Sequence, residues 1–207
     1  MPTHPLWRRF ELADLDEVAK ARVGVGWWQP QPVEVVPYDP EWPARYDEVA
    51  RLIRGALGDR VIALSHVGST SVPGLAAKPF IDVDLTVADS SDEAMYLPTL
   101  EAVGFALRLR EPDWEEHRLL RHQHPPTILH IFSPWAREPR RHLLFRDWLR
   151  SHAEGRELYE AHKLQLGLRG FTDAMDYNNH KAAVVYDLYE KAFADDPDHE
   201  HDPRPRP

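Results

Sequence analysis

Apolar and polar positions along this chain change period several times, and each change predicts a different element. Trp42, Tyr46, Val49, Ile53 and Leu57 recur at intervals of three and four, the spacing that puts side chains on one helix face. Asp39 suits the N-cap of that helix, Pro40 its first position and Gly58 its end. A short β-type run, Val33 to Val36, precedes it. Val61 to Leu64 is a compact apolar run of the buried-strand kind, and Phe80 to Val87 is a second, with Asp82 and Asp84 set into it. Ser90 or Ser91 can cap a helix running through Met95, Leu100 and Val103, which Pro98 kinks or delays. Three β-type runs follow, Phe105 to Arg110, Glu116 to Arg121 and Thr127 to Phe132. From Pro139 the period is helical, through Leu143, Leu144, Trp148 and Leu149, then Leu158, Leu164 and Leu168, then Ala182 to Phe193.

This order predicts an α+β domain, a mixed sheet with helices on one face and a C-terminal helical extension. Residues 33–194 form the domain, with the sheet core at 33–135 and the helical extension at 136–194. Residues 1–32 read as an arm in which Asp14 to Val23 makes a short helix. Trp27 and Trp28 anchor that arm by packing, with a stacking platform for a base as the alternative. The polar stretch 195–207 has almost nothing to bury and is predicted to be disordered.

Composition narrows the partners. A formal charge of −9 over 207 residues argues against a protein that coats long nucleic acid, which requires phosphate neutralisation by Lys and Arg. The absence of cysteine excludes disulfides and thiolate metal sites and fits a cytoplasmic setting. No apolar run approaches the roughly 18–20 residues of a membrane span, and the N-terminus lacks an apolar signal core.

The candidate chemistry lies between Val61 and Val87. Asp82 and Asp84 are two apart on a strand, so they share a face while Ile81, Val83 and Leu85 point into a core. Two like charges side by side call for a cation between them, and Mg²⁺ commonly takes one or two carboxylates together with substrate phosphates. Before them comes a turn, Gly68 to Ser71. Gly68 permits close backbone approach, and the N–H groups and hydroxyls of Ser69, Thr70 and Ser71 can form an anion nest. Lys78 can add a point charge there, or be an ordinary loop lysine.

Gly68-Ser69, twelve residues, then Asp82-Val-Asp84 resembles the signature of the nucleotidyltransferase superfamily that includes polymerase-β-type enzymes. The longer string HVGSTSVPGLAAKPFIDV resembles the GrpB-like family of predicted nucleotidyltransferases. YDPEW at 38–42, LHIF at 129–132, LLFRDWLR at 143–150 and the pairs Tyr159–Lys163 and Tyr177–Lys181 match it as well. The resemblance covers about residues 33 to 194. It implies a small mixed sheet with the active site on its open face and helices closing over it. It also implies Mg²⁺ (or Mn²⁺) on Asp82 and Asp84, phosphates at Gly68 to Ser71, and transfer of an NMP group from an NTP to an unidentified small-molecule or protein acceptor. The superfamily usually supplies a third carboxylate from a later strand; here the matching inward position is His130, a poorer Mg²⁺ ligand that can instead act as the base. Arg118 and Arg121 lie on a neighbouring strand and can meet phosphate. Arg146, Lys163 and Lys181 can wall the pocket or simply hold helices together.

Two rivals remain at this level. His66 can line the pocket or be a satisfied core histidine. His117, His122 and His124 invite a zinc reading, without the helical motif that usually accompanies one. A nucleotide- or phospholigand-binding regulatory module is the alternative to an enzyme. Family members fused to dephospho-CoA kinase imply a link to coenzyme A metabolism.

Overall fold

A computed structural model describes residues 2–24 and 32–206; Trp27 and Trp28 lie outside the described residues. Five strands, β1 (Ala63–Val67), β2 (Ile81–Thr86), β3 (Ala106–Glu111), β4 (His117–Gln123) and β5 (Pro126–Phe132), form one sheet in the order β1-β2-β5-β4-β3. Only the β2–β5 pair is parallel, so the sheet is mixed and the fold α+β. The predicted strands are all present except Val33 to Val36, which is reduced to a single bridge between Val36 and Ala77.

Helix α2 (Trp42–Leu57) begins later than the Asp39-Pro40 pair suggests. Pro43 supplies the proline of the first turn, and Asp39 instead accepts the Glu41 N–H at 2.9 Å. Its Trp42, Val49, Ile53 and Leu57 are buried against Ile81, Val83 and Leu85 of β2 and Leu129 and Ile131 of β5. Pro98 sits in the first turn of α3 (Leu97–Ala102), so it sets that helix's start rather than kinking it. Helix α1 (Leu15–Ala21) is capped by Asp14 and bridges to the edge strand β3 through Arg22 and Leu109.

The other layer is α4 (Glu138–Ser151), α5 (Ala153–Gly167) and α6 (Ala174–Ala194). Trp148, Leu149, Tyr159 and Leu188 close on Val72 and Leu75, which belong to the loop between β1 and β2. The helical extension is therefore built onto the candidate motif itself. None of these helices is long and apolar enough to cross a membrane.

Residues 195–206 depart from the predicted disorder. His201 Nε2 lies 2.8 Å from Glu190 Oε2, the Arg204 N–H donates to the same oxygen, and Arg204 covers the Trp7 ring. A polar segment with little to bury is held here by one buried carboxylate on α6 and by the chain's first residues. That partnership is invisible in composition.

The α2–sheet contact dominates the core, and Ile53 is fully buried within it. Ile53→Ala is expected to lower unfolding free energy by about 2–5 kcal/mol, read as a lower urea midpoint at unchanged slope.

Candidate functional site

Strand register fixes which side chains meet. Val67, Asp82, Ile128 and Arg121 lie in one row across β1, β2, β5 and β4, and Ser65, Asp84, His130 and Leu119 in the next. Paired residues share a face, so both carboxylates, Arg121 and His130 stand opposite the α2-covered face. Gly68 follows β1 with φ 66°, and a Cβ on it would lie 2.3 Å from Asp82 Oδ2. Only glycine lets the chain arch over that carboxylate.

The single 3₁₀ turn Ser69–Ser71 divides its hydroxyls. Ser71 Oγ donates to the Gly68 carbonyl at 2.6 Å, and Thr70 Oγ1 meets His66 Nε2 at 3.1 Å. Those two hold the turn together. Ser69 Oγ instead accepts from Lys163 Nζ at 3.0 Å.

Three lysines converge beside it. Lys163 is buried and also donates to the Ala76 carbonyl. Lys181 Nζ stands 5.8 Å from the Tyr159 ring centre and 5.6 Å from that of Tyr177, and Lys78 Nζ 5.1 Å from Tyr177. Burial, reinforced by Lys181, lowers Lys163 to about 6 and Lys78 to about 8. Burial lowers Lys181 as well, against the pull of Asp82. Asp82 is pushed up to about 6 by burial, despite Lys78, Lys181 and His142. Withdrawal from water disfavours the charged form of each group, and the opposite charges of Asp82 and the lysines only partly offset it. Arg121 completes this end, its guanidinium 5.2 Å from the Phe80 ring centre.

Asp84 is buried, and its two oxygens differ. Oδ2 accepts from His142 Nδ1 at 2.8 Å, while Oδ1 has no hydrogen-bond partner among the described residues. Burial works to lower the His142 pKa, but the charge and hydrogen bond of Asp84, aided by Glu138, raise it to about 9. Glu138 is held in turn by Arg8 at 2.8 Å and Arg141 at 2.9 Å. The sequence pattern alone does not mark His142. Its one signal was the Glu138-x-x-x-His142 spacing, which places the two on one helix face. His130 Nδ1 lies 3.0 Å from His117 Nε2, and burial, then the neighbouring His117 and His142, drive the His130 pKa well below its ordinary value.

Arg118 is not brought to this site. It pairs with Ile131 and so faces the α3 side, where Nε meets Glu93 at 2.7 Å and Nη1 meets Glu116 at 3.2 Å. Residues three apart on a strand cannot share a face, which separates Arg118 from Arg121. Arg146 does line the cavity, yet Nη1 donates to the His66 carbonyl at 3.0 Å and its other nitrogens to Asp147. With Arg150 on the Ser71 carbonyl at 2.7 Å, it clamps α4 onto the turn. His66 lies on the α2 face, stacked 4.7 Å from Tyr46; burial, with Arg150 and Arg146 nearby, lowers its pKa to about 4.

The cavity beside the turn measures about 290 Å³ and is lined by Ser69, His142, Phe145, Tyr159, Lys181 and Tyr189, among others. A larger cleft of about 410 Å³, between Trp42, Pro79 and His124, is lined by neither the two aspartates nor the three lysines.

Asp82 and Asp84 fit a hard cation, because a buried carboxylate oxygen without a donor is the environment such an ion relieves. Among the described residues, however, one trio of metal-capable side chains has all its donor atoms within 4.8 Å, and it is His4, Asp196 and His199. His130 does not join Asp82 and Asp84 as a third ligand. In the distant trio the Leu6 N–H donates to His4 Nδ1 at 3.0 Å, which puts the ring proton on Nε2, facing Asp196 at 2.8 Å. That tautomer makes a hydrogen-bonded cluster rather than a metal site. His122 lies against Phe105, with Nδ1 3.3 Å from the Pro125 carbonyl.

The His142–Asp84 pair makes stability depend on pH. The folded pKa of His142, about 9, exceeds its ordinary 6.5, so the folded state binds more protons between those values. Its contribution is complete below about pH 6.5 and is lost as pH rises through 9. Unfolding free energies of wild type and His142→Gln should therefore converge between pH 6.5 and 9; parallel profiles would contradict the pairing.

The family model described as GrpB protein matches residues 32–191. Over 162 residues the chain is 43% identical to a UPF0157 protein of Halalkalibacterium halodurans, covering 78% of this chain and 83% of that one. It is 29% identical over 189 residues to a dephospho-CoA kinase of Mycolicibacterium paratuberculosis, covering 78% of this chain and 46% of the kinase. The crystal structure of the conserved protein GrpB from Enterococcus faecalis superposes with a TM-score of 0.67 at 29% identity, over 76% of this chain and 96% of that one. With its mixed sheet, its Gly68 turn and its carboxylate strand, the chain belongs to the GrpB family.

Proposed function

We propose that the chain binds a nucleoside triphosphate with Mg²⁺ (Mn²⁺ as the alternative) and transfers its NMP group to a small-molecule or protein acceptor. One observation carries this reading. Lys78, Lys163 and Lys181 gather beside the Gly68–Ser69 turn and around Asp82, and on the same strand face Asp84 Oδ1 has no hydrogen-bond partner among the described residues. Three lysines whose charged forms burial disfavours are groups that a bound anion would recharge. Carboxylates beside them are what an anion's counter-cation requires.

In this reading the lysines and Ser69 hold the outer phosphates, and Asp82 and Asp84 hold the divalent ion. When bound, that ion would offset charge on the triphosphate and on the departing pyrophosphate. The aromatic wall of Phe145, Tyr159 and Tyr189 receives the nucleoside. The acceptor oxygen forms its bond to the α-phosphorus as the bond to pyrophosphate breaks, and the acceptor's hydroxyl proton passes to solvent. His142, held by Asp84, keeps a positive charge beside the developing one.

A second reading, a regulatory module that binds nucleotide or phospholigand without transfer, draws on the incomplete ligand trio around Asp82 and Asp84. Similarity to part of a dephospho-CoA kinase would then suggest a role in coenzyme A metabolism.

Calorimetric titration with ATP, GTP, CTP and UTP, with and without Mg²⁺, tests both. Metal-dependent binding should vanish in Asp82→Asn/Asp84→Asn. It should weaken about ten- to a hundredfold in Lys163→Met, which removes one charged hydrogen bond. Pyrophosphate release then separates transfer from binding. No binding of any nucleotide would overturn both readings in their nucleotide form.

A further inference from the structure

His130 belongs to a line of side chains that the reaction as described leaves unused. Glu111 Oε2 lies 2.7 Å from His117 Nδ1, and His117 Nε2 lies 3.0 Å from His130 Nδ1. His117 is buried, its ring stacked on Phe132 at 4.9 Å and set edge-on to Trp114 at 4.8 Å, so it has little freedom to turn. Glu111 and His117 are register partners across β3 and β4, and His130 is the register partner of Asp84. The line therefore runs across the sheet, from its edge toward the carboxylates.

An ionised carboxylate only accepts hydrogen bonds, and a neutral imidazole has one donor and one acceptor nitrogen. Glu111 accepts, so a neutral His117 donates from Nδ1, which leaves its Nε2 bare. A bare Nε2 can only accept, so His130 must donate from Nδ1, which leaves His130 Nε2 bare in turn. Each hydrogen bond fixes the next tautomer, the logic by which a buried carboxylate orients a histidine in many sites. Burial, together with the nearby His117 and His142, also keeps His130 uncharged.

We propose that Glu111 and His117 are positioning residues that lock His130 as its Nδ1–H tautomer, presenting Nε2 as the hydrogen-bond acceptor for the attacking hydroxyl of the acceptor substrate. The role rests on the transfer reading above, whereas the tautomer does not. His130 takes part of the place of a third carboxylate in this way. It supplies a lone pair at the strand position facing Asp84 without adding a charge to a site that already holds two carboxylates.

The test begins with ring ¹⁵N NMR of the full-length, ligand-free protein. His130 should carry its proton on Nδ1 in wild type. His117→Phe keeps the aromatic packing but removes the acceptor, and should release His130 to a mixture or to the Nε2–H form. Glu111→Gln should loosen both rings, and His117→Gln, which still offers an acceptor oxygen, should largely restore the Nδ1–H form. Magnesium-dependent pyrophosphate release from the four nucleoside triphosphates, with water as the attacking hydroxyl, is then compared between wild type and His117→Phe. The expected result is a kcat loss of about tenfold or more, the lower end of outer-partner effects, with KM for the triphosphate within about twofold. An Nε2–H His130 in wild type, or an unchanged tautomer in His117→Phe, overturns the relay whatever the nucleotide does. The expected tautomer together with a kcat indifferent to His117→Phe overturns the substrate-facing role. A protein that releases no pyrophosphate overturns that role and the transfer reading together, and the tautomer result then stands or falls separately.

Discussion

The crossing of Gly68 over the Asp82 carboxylate constrains everything around it. The register of β1 and β2 puts Val67 beside Asp82, so the next residue must arch over that side chain, and there is no room there for a Cβ. A carboxylate drawn largely out of water is unfavourable unless cations answer it, and Lys78, Lys181 and Arg121 gather accordingly. Those cations come from the loop before β2, from α6 and from β4. The turn thus ties the helical layer to the sheet electrostatically as well as by packing. Arg146 and Arg150 finish the attachment by donating to carbonyls on either side of the turn.

Asp82 and Asp84 share a strand face yet live in different environments. Asp82 sits among suppressed cations, with its pKa raised to about 6. Asp84 is held by a histidine whose own pKa is raised to about 9, and its second oxygen lacks a hydrogen-bond partner among the described residues. Environments that separate neighbouring acids in this way are typical of sites that bind charge rather than of solvated surface. The N-terminal arm reaches this arrangement too, since Arg8 braces Glu138, which lies 3.6 Å from His142.

How much could be read in advance follows from the range of each interaction. The period-two placement of Asp82 and Asp84 and the need for glycine at 68 are local, and the sequence carries them openly. The same rule separates Arg118 from Arg121, since residues three apart on one strand face opposite ways. His142 could not be paired with Asp84 in advance, because 58 positions separate them and only the packing of α4 brings them together. The ordering of residues 195–206 depends on Glu190, one carboxylate in a helix with several acidic neighbours. Thr70 and Ser71 looked like phosphate ligands by type, but the geometry of the turn gives their hydroxyls to His66 and Gly68.

The central claim is that the Gly68 turn, the three lysines and the two aspartates form one polyphosphate–cation site. A crystal structure with a non-hydrolysable nucleoside triphosphate and Mg²⁺ tests it most directly. The account predicts terminal phosphates among Ser69, Lys78, Lys163 and Lys181, with the ion on Asp82 and Asp84 Oδ1. A nucleotide seated instead in the cleft near Trp42 and His124, with the lysine cluster unchanged, would contradict it.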